Sequence, residues 1–216
     1  ESGKFSLEPT CVDLEDCVLE ASDLVRTQLE AKKIELYVSC AVSHKWVLCD
    51  KVMLDRALMN LLCNAGKFTE ENGSVSLHLN ELDCSSGTGS YEIRIKDTGI
   101  GMSPEFAAKL FAPFERERTS TISGIQGTGL GLSITRSIVD LMGGTIDVMT
   151  APGEGTEFVV DLAFEIAEPS ASEAPDAEEP AKEATDFTGM RVLLVEDNEI
   201  NRDIATLILR DLGFEV

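Results

Sequence analysis

One aspartate and two glycines at the end of a short alternating run form the densest piece of candidate chemistry in this sequence: YEIRIKDTGIGM, residues 91–102. Tyr91, Ile93 and Ile95 alternate with Glu92, Arg94 and Lys96, the period-2 pattern of a strand with one buried and one wet face. Asp97 ends that strand, and Gly99 and Gly101 permit positive φ and a close approach of bare backbone. A carboxylate at the lip of such a cavity accepts a hydrogen bond from the exocyclic amino group of adenine. It is repelled by the carbonyl that guanine carries at the same place. Taken alone, D-x-G-x-G serves equally well as a tight turn with a polar exit residue.

A second set of residues lies on a helix expected over residues 50–67. Leu54, Leu58, Leu61, Leu62 and Ala65 cluster on one side, while Arg56, Asn60, Asn64 and Lys67 make a polar stripe roughly 80° wide on the other. Asn is a poor helix former, so two of them in one stripe read as a site more readily than as a solvated face, although pairing with nearby loops also accounts for them. An Asn carbonyl oxygen can ligate a Mg²⁺ that bridges nucleotide phosphates, and Lys67 can meet phosphate charge from the same face. A third set is GTGLGL, where Gly127, Gly129 and Gly131 open a helix running through Ile134, Ile138, Val139, Leu141 and Met142 to a Gly143-Gly144 stop. Free amides at a glycine-rich helix start attract phosphate.

The elements that must position these residues emerge from the same periodicities. A strand is expected at residues 5–7, then a helix capped by Asp13 and reaching about Lys33, and a strand at 34–40. Strands at 75–82 and 91–96 flank a Ser/Gly-rich loop at 84–90. Phe111 and Phe114 read as anchors for an aperiodic polar lid over residues 112–127, and strands at 145–149 and 156–164 close the domain.

Composition bounds the function. The 216 residues, 43% apolar, suffice for one ordinary domain and something smaller. The formal charge of −21, from 39 acidic against 18 basic residues, makes nucleic acid and membrane surfaces poor partners. No apolar run approaches the ~20 residues of a membrane span, so a cytoplasmic location is expected, with any anchor of a parent protein lying upstream. Six cysteines without a CxxC pair read as reduced, packed thiols. Cys40, His44 and Cys49 are close in sequence but lack a fourth ligand for structural zinc. His78 falls on the wet phase of its strand, and neither histidine reads as catalytic.

The commoner nucleotide folds do not fit. Gly66-Lys67 is followed by Phe68, so there is no P-loop, and the alternating strands have one uncovered face, unlike a Rossmann sheet. The expected class is α/β (α+β): a two-layer sandwich with a mixed, mostly antiparallel sheet and helices on one face.

NLLCNAGKFT (60–69), DTGIGM (97–102), LFAPF (110–114), GTGLGL (127–132) and GEGTEF (153–158), in this order, resemble the boxes of the catalytic and ATP-binding domain of sensor histidine kinases. The resemblance spans residues 5–164. It implies a Bergerat-type ATP fold with ATP and Mg²⁺ as cofactors and Asn64 as the Mg²⁺ ligand. Asp97 would read the adenine amino group beside Gly99 and Gly101, with Phe68 flanking the base. Lys67 would lie around the phosphates with Gly127, Thr128, Gly129, Leu130 and Gly131, and Arg116 or Arg118 would reach them from the lid. Gly66 stands where an aliphatic residue is usual, and Arg56 where Gln is common. In hydrolytic relatives the position of Asn60 resembles a Glu that activates water; an amide takes no proton, so Asn60, Asn64 and Lys67 would serve phosphoryl transfer without hydrolysis. The attacking histidine would sit on an upstream dimerisation domain, since neither His44 nor His78 stands in the H-[DE]-x-x-x-P context of the family.

Residues 165–187 hold eight acidic residues and three prolines, the composition of an extended tether. Residues 188–216 then read as an apolar strand, an acidic turn and an amphipathic helix. VLLVEDN resembles the opening of a response-regulator receiver domain, with Glu196 and Asp197 as its paired Mg²⁺-binding acids. Residues 1–4 would be the last turn of the dimerisation helix. The implied parent is a homodimeric hybrid histidine kinase acting with its own or a separate receiver. The alternative is a nucleotide-gated binding module without phosphoryl transfer.

Overall fold

The computed structural model describes residues 7–112, 130–168, 190–193, 209 and 214. The chain forms two compact units, residues 1–169 and 170–216, and all the elements below belong to the first. In chain order they are β1 (Thr10–Asp13), α1 (Leu14–Ala31), β2 (Glu35–Ala41), β3 (Trp46–Cys49), α2 (Lys51–Phe68), β4 (Ser74–Ser85), β5 (Thr88–Asp97), α3 (Pro104–Ala107), α4 (Gly131–Leu141), β6 (Thr145–Thr150) and β7 (Thr156–Glu165).

Five strands form one sheet in the order β2-β4-β5-β7-β6. β2 runs parallel to β4 and the remaining pairs are antiparallel. The period-2 alternation sends Val75, Leu77, Leu79, Tyr91, Ile93, Ile95, Phe158, Val160 and Leu162 into a core shared with α1 and α2. The opposite face carries polar residues, among them Arg94 bridged to Glu92 and Glu157 and His78 hydrogen-bonded to Ser39. This is the expected two-layer fold, helices on one face of a mixed sheet.

Each long helix starts where an aspartate can cap it. Asp13 Oδ1 accepts the amides of Glu15 and Asp16 at 3.0 and 3.2 Å, and Asp50 Oδ1 accepts the amide of Met53 at 3.1 Å. At the far end of α2, Lys32 Nζ donates to the carbonyls of Gly66 and Lys67 at 2.8 and 3.4 Å, answering the last turn of the helix with a cation. Gly66 costs about 1 kcal/mol in helix propensity, yet a Cβ there would lie 2.6 Å from Leu29 Cδ2. Its bareness lets α1 and α2 close on each other.

Three expectations are corrected, and one element is new. The first strand is β1 at Thr10–Asp13, with Leu7 outside any strand. β3 pairs with β1 in a separate two-stranded sheet that the sequence did not announce. Residues 84–90 are not an open loop: β4 and β5 run on through them and turn at Ser86 and Gly87, whose φ values of 54° and 81° suit a two-residue hairpin turn. Finally, Cys63 and Cys84 are exposed; only Cys17 and Cys49 are packed away, and burial pushes both of those thiols up to about 12, which keeps them protonated and inert.

The chain also stays with the domain beyond β7. Ile166 N donates to Gly87 O at 2.8 Å and Ala167 N to Trp46 O at 2.9 Å. Among the described residues no helix is long and apolar enough to cross a membrane.

Candidate functional site

Asp97 continues the inward set Tyr91, Ile93, Ile95, so the strand itself carries its carboxylate under the sheet, where the residue is 5% exposed. Its Oδ1 accepts the amides of Gly99 at 2.8 Å and Thr156 at 3.2 Å. Among the described residues nothing donates to Oδ2. Burial raises this carboxyl above its ordinary value, and the two amide bonds offset only part of that rise.

The turn after Asp97 is built by backbone contacts that leave no room for side chains. A Cβ on Gly99 would lie 2.4 Å from Phe68 O, and one on Gly101, at φ 61°, would lie 1.9 Å from Ala151 O. Ile100 N donates to Phe68 O at 3.2 Å, joining the turn to the end of α2, and Gly153 N donates to Ile100 O at 2.8 Å, joining it to the β6–β7 turn. Thr150 Oγ1 accepts from Met102 N at 3.0 Å and lies 2.9 Å from Gly155 O. Thr150, Gly155 and Thr156 were assigned no role from sequence. The usable signal was G-x-G-T immediately before a strand.

The polar stripe of α2 lies on the same side of the domain. Asn60 and Asn64 are half-buried and Arg56 is exposed. Asn60 Nδ2 donates to Thr135 Oγ1 on α4 at 2.7 Å. A Cβ on Gly131 would lie 2.3 Å from Asn60 Oδ1, so Gly131 is bare because Asn60 sits against it. Asn64 has no hydrogen-bond partner among the described residues. The ammonium of Lys67 lies 5.2 Å from the centre of the Phe68 ring. Leu130 precedes α4, whose start carries no side-chain cap. Phe111 packs partly into the core beneath the Arg136 guanidinium, 5.6 Å from its ring centre.

Arg116, Arg118, Phe114, Gly127, Thr128 and Gly129 lie outside the described residues, as do Glu196, Asp197 and residues 169–187 of the expected tether, whose first residues are instead ordered on the domain, Glu165 in β7 and Ile166 and Ala167 in backbone hydrogen bonds; of the expected strand near residue 192 only Val192 and Leu193 are described. The structure therefore brings together Asp97, Gly99, Gly101, Phe68 and Lys67 at one corner. Asn60 and Gly131 meet where α2 crosses α4.

The donor set fits a nucleotide: among the described residues, the buried Asp97 residue keeps one carboxylate oxygen without a donor, the Asn64 amide has no partner, and the start of α4 carries no side-chain cap. The family model described as "Histidine kinase-, DNA gyrase B-, and HSP90-like ATPase" matches residues 49–166, and the chain belongs to that family of ATP-binding domains. Within it, the chain carries the ATPase domain of sensor histidine kinases. It is 32% identical over 222 aligned residues to the Autoinducer 2 sensor kinase/phosphatase LuxQ of Vibrio cholerae, covering 100% of this chain and 25% of LuxQ. It is 37% identical to the Virulence sensor protein BvgS of Bordetella bronchiseptica, again over 100% of this chain but 18% of BvgS. Among solved structures, full-length ShkA in complex with AMPPNP superposes with a TM-score of 0.64 at 27% identity, covering 98% of this chain and 40% of ShkA. The nucleotide-free catalytic domain of the histidine kinase ThkA gives 0.61 at 27% identity, covering 72% of this chain and 95% of that one.

Proposed function

We propose that residues 5–164 are the catalytic half of a hybrid histidine kinase, passing the γ-phosphoryl group of Mg-ATP to a histidine on an upstream dimerisation domain. The observation that carries this reading is the Asp97 carboxylate, whose Oδ1 is filled by two backbone amides and whose Oδ2 has no donor among the described residues. The adenine amino group supplies that donor, and guanine does not.

Asn64 holds Mg²⁺ through its amide oxygen, and Lys67 with the amino end of α4 offsets phosphate charge. Phe68 flanks the base beside Gly99 and Gly101, while Gly127, Thr128, Gly129, Leu130, Gly131 and Arg116 complete the phosphate side. Asn60 has no basic atom to take a proton from water, and its Nδ2 is engaged with Thr135. Mg-ATP supplies the transferable phosphoryl group; the domain supplies in-line positioning and charge neutralisation. Past the bonds of Ile166 and Ala167, the rest of the expected 165–187 segment acts as a tether, and residues 188–216 are the start of a receiver whose Glu196 and Asp197 belong to an incomplete Mg²⁺ site. The parent is a homodimer working in the cytoplasm, without nucleic acid as a partner.

The test is to add the parent's upstream helical domain and labelled ATP. Acid-labile, base-stable label on that domain is the expected result. Nucleotide binding without any such label would overturn phosphoryl transfer and leave a nucleotide-gated binding module.

A further inference from the structure

At the far end of the β4–β5 hairpin from Asp97, three side chains of different chemistry converge: His44, Glu81 and Cys84, with potential ligand atoms all within 4.8 Å of one another. Strand geometry alone would forbid this. Residues 81 and 84 are three apart, and simple alternation puts them on opposite faces. The register shows why they meet: Glu81 pairs with Tyr91 and Asp83 with Ser90, so Leu82 is an extra residue and the bulge re-aims the side chains beyond it.

The third member is held by its backbone. Glu81 Oε2 accepts the amides of Ser43 and His44 at 2.6 and 2.9 Å, and His44 Nδ1 lies 2.6 Å from Glu81 Oε1. Tyr91, 1% exposed, donates its hydroxyl to His44 O at 2.6 Å. Its ring occupies the place where a Cβ on Gly89 would be, 2.5 Å from the hydroxyl oxygen, so the bare glycine makes room for the brace. The Glu81 carboxylate is 9% exposed, while the His44 ring is 45% exposed and Cys84 lies on the surface. One ligand is fixed and the other two are free to close on it.

We propose that His44, Glu81 and Cys84 bind a divalent cation of the zinc class, with water as the fourth ligand. Imidazole nitrogen, carboxylate oxygen and thiolate sulfur are the donor set such an ion takes, at about 2.0–2.3 Å each. Binding releases the thiol proton of Cys84 to water and leaves His44 a neutral imidazole that ligates through Nδ1 and carries its proton on Nε2, and the His44–Glu81 pair opens from its hydrogen-bonding distance to admit the ion. Thiolate and carboxylate then balance the two positive charges. The site lies beside the chain's exit from the domain, because Gly87, three residues after Cys84, and Trp46, two after His44, are the residues that bond Ile166 and Ala167.

Co²⁺ alone is the probe, added to the reduced, nucleotide-free chain. One equivalent should give tetrahedral d–d bands and a thiolate-to-metal charge-transfer band, both abolished by Zn²⁺. Cys84→Ser should remove the charge-transfer band, and His44→Gln should weaken binding on the order of tenfold or more. Cys63→Ser, at the other exposed thiol, should leave both intact. A charge-transfer band that survives Cys84→Ser, or that fails to form at millimolar Co²⁺, overturns the site. Should His44→Gln fail to fold, alkylation of the unaltered chain decides: Zn²⁺ must slow iodoacetamide at Cys84 and leave Cys63 unaffected, and equal rates overturn the proposal.

Discussion

Asp97 and Glu81 sit on the two strands of one hairpin and share a device: in each, one carboxylate oxygen accepts two backbone amides. They differ at the other oxygen. Glu81 Oε1 is met by His44 Nδ1, whereas Asp97 Oδ2 has no donor among the described residues. Burial pushes both carboxyls up. At Asp97 burial wins and the carboxyl stays above its ordinary 3.8, while at Glu81 the His44 ring and the two amides together bring it below its ordinary 4.5. At Glu81 both oxygens are already met, so a cation there must open the contact with His44. A carboxylate met on a single oxygen is held in place and still able to recognise something.

The largest effect that would break this contrast lies at Gly155. With φ at 78° and a Cβ position 2.0 Å from Asp97 O, Gly155→Ala should cost about 3 kcal/mol or more, since left-handed strain and a backbone overlap add. Gly87→Ala at the hairpin tip has φ 81° and open space, so strain alone remains, about 1 kcal/mol. Urea midpoints measure both; equal losses would mean that the Asp97 corner is no tighter than an ordinary turn.

Next in size is Asp97→Asn, which keeps an oxygen for the two amides but removes the charge. ATP binding should weaken by about 30-fold, near 2 kcal/mol, and the preference for ATP over GTP should largely disappear. Calorimetric titration of both nucleotides is the measurement, and wild-type protein that binds them equally would remove Asp97 from base recognition.

The smallest effect is on pH dependence, and its sign differs at the two ends. Folded Asp97 holds its proton more tightly than the unfolded chain, so from 3.8 up to its raised value the folded state carries more protons and stability falls as pH rises. Folded Glu81 holds its proton less tightly, so its contribution is present above 4.5 and is lost as pH falls through its lowered value. Subtracting the profiles of Asp97→Asn and Glu81→Gln from the unaltered protein should give slopes of opposite sign. Parallel slopes would show that the two carboxylates share one environment.

Local periodicity carried much of this architecture. The inward phase of Tyr91, Ile93 and Ile95, the apolar side of α2 and the Asp13 cap are all written within one or two turns of chain. Asp97, read from its glycines as standing at the lip of a cavity, is one further step of the same phase and is buried. Long-range register carried the rest and was not legible. The Thr156 amide that reaches Asp97 comes from 59 residues away; β3 is four residues long and is identified by its pairing with β1. The extra residue at Leu82 is visible only once β4 and β5 are aligned, which is why Cys84 read as a packed thiol and His44 was weighed with Cys40 and Cys49 instead of Glu81.

The hydrogen bonds from Ile166 and Ala167 have a mechanical consequence. Tension drawn through the chain after residue 168 is taken first by their bonds to Gly87 at the hairpin tip and to Trp46 at the start of β3. The Asp97 corner lies at the other end of β7, whose 10 residues span about 33 Å, paired with β5 along the whole length and with β6 over Thr156–Asp161. Those ladders load in shear, many bonds at once, while the two exit bonds peel one by one. A pull on the exit would therefore release the tip and leave the nucleotide corner intact.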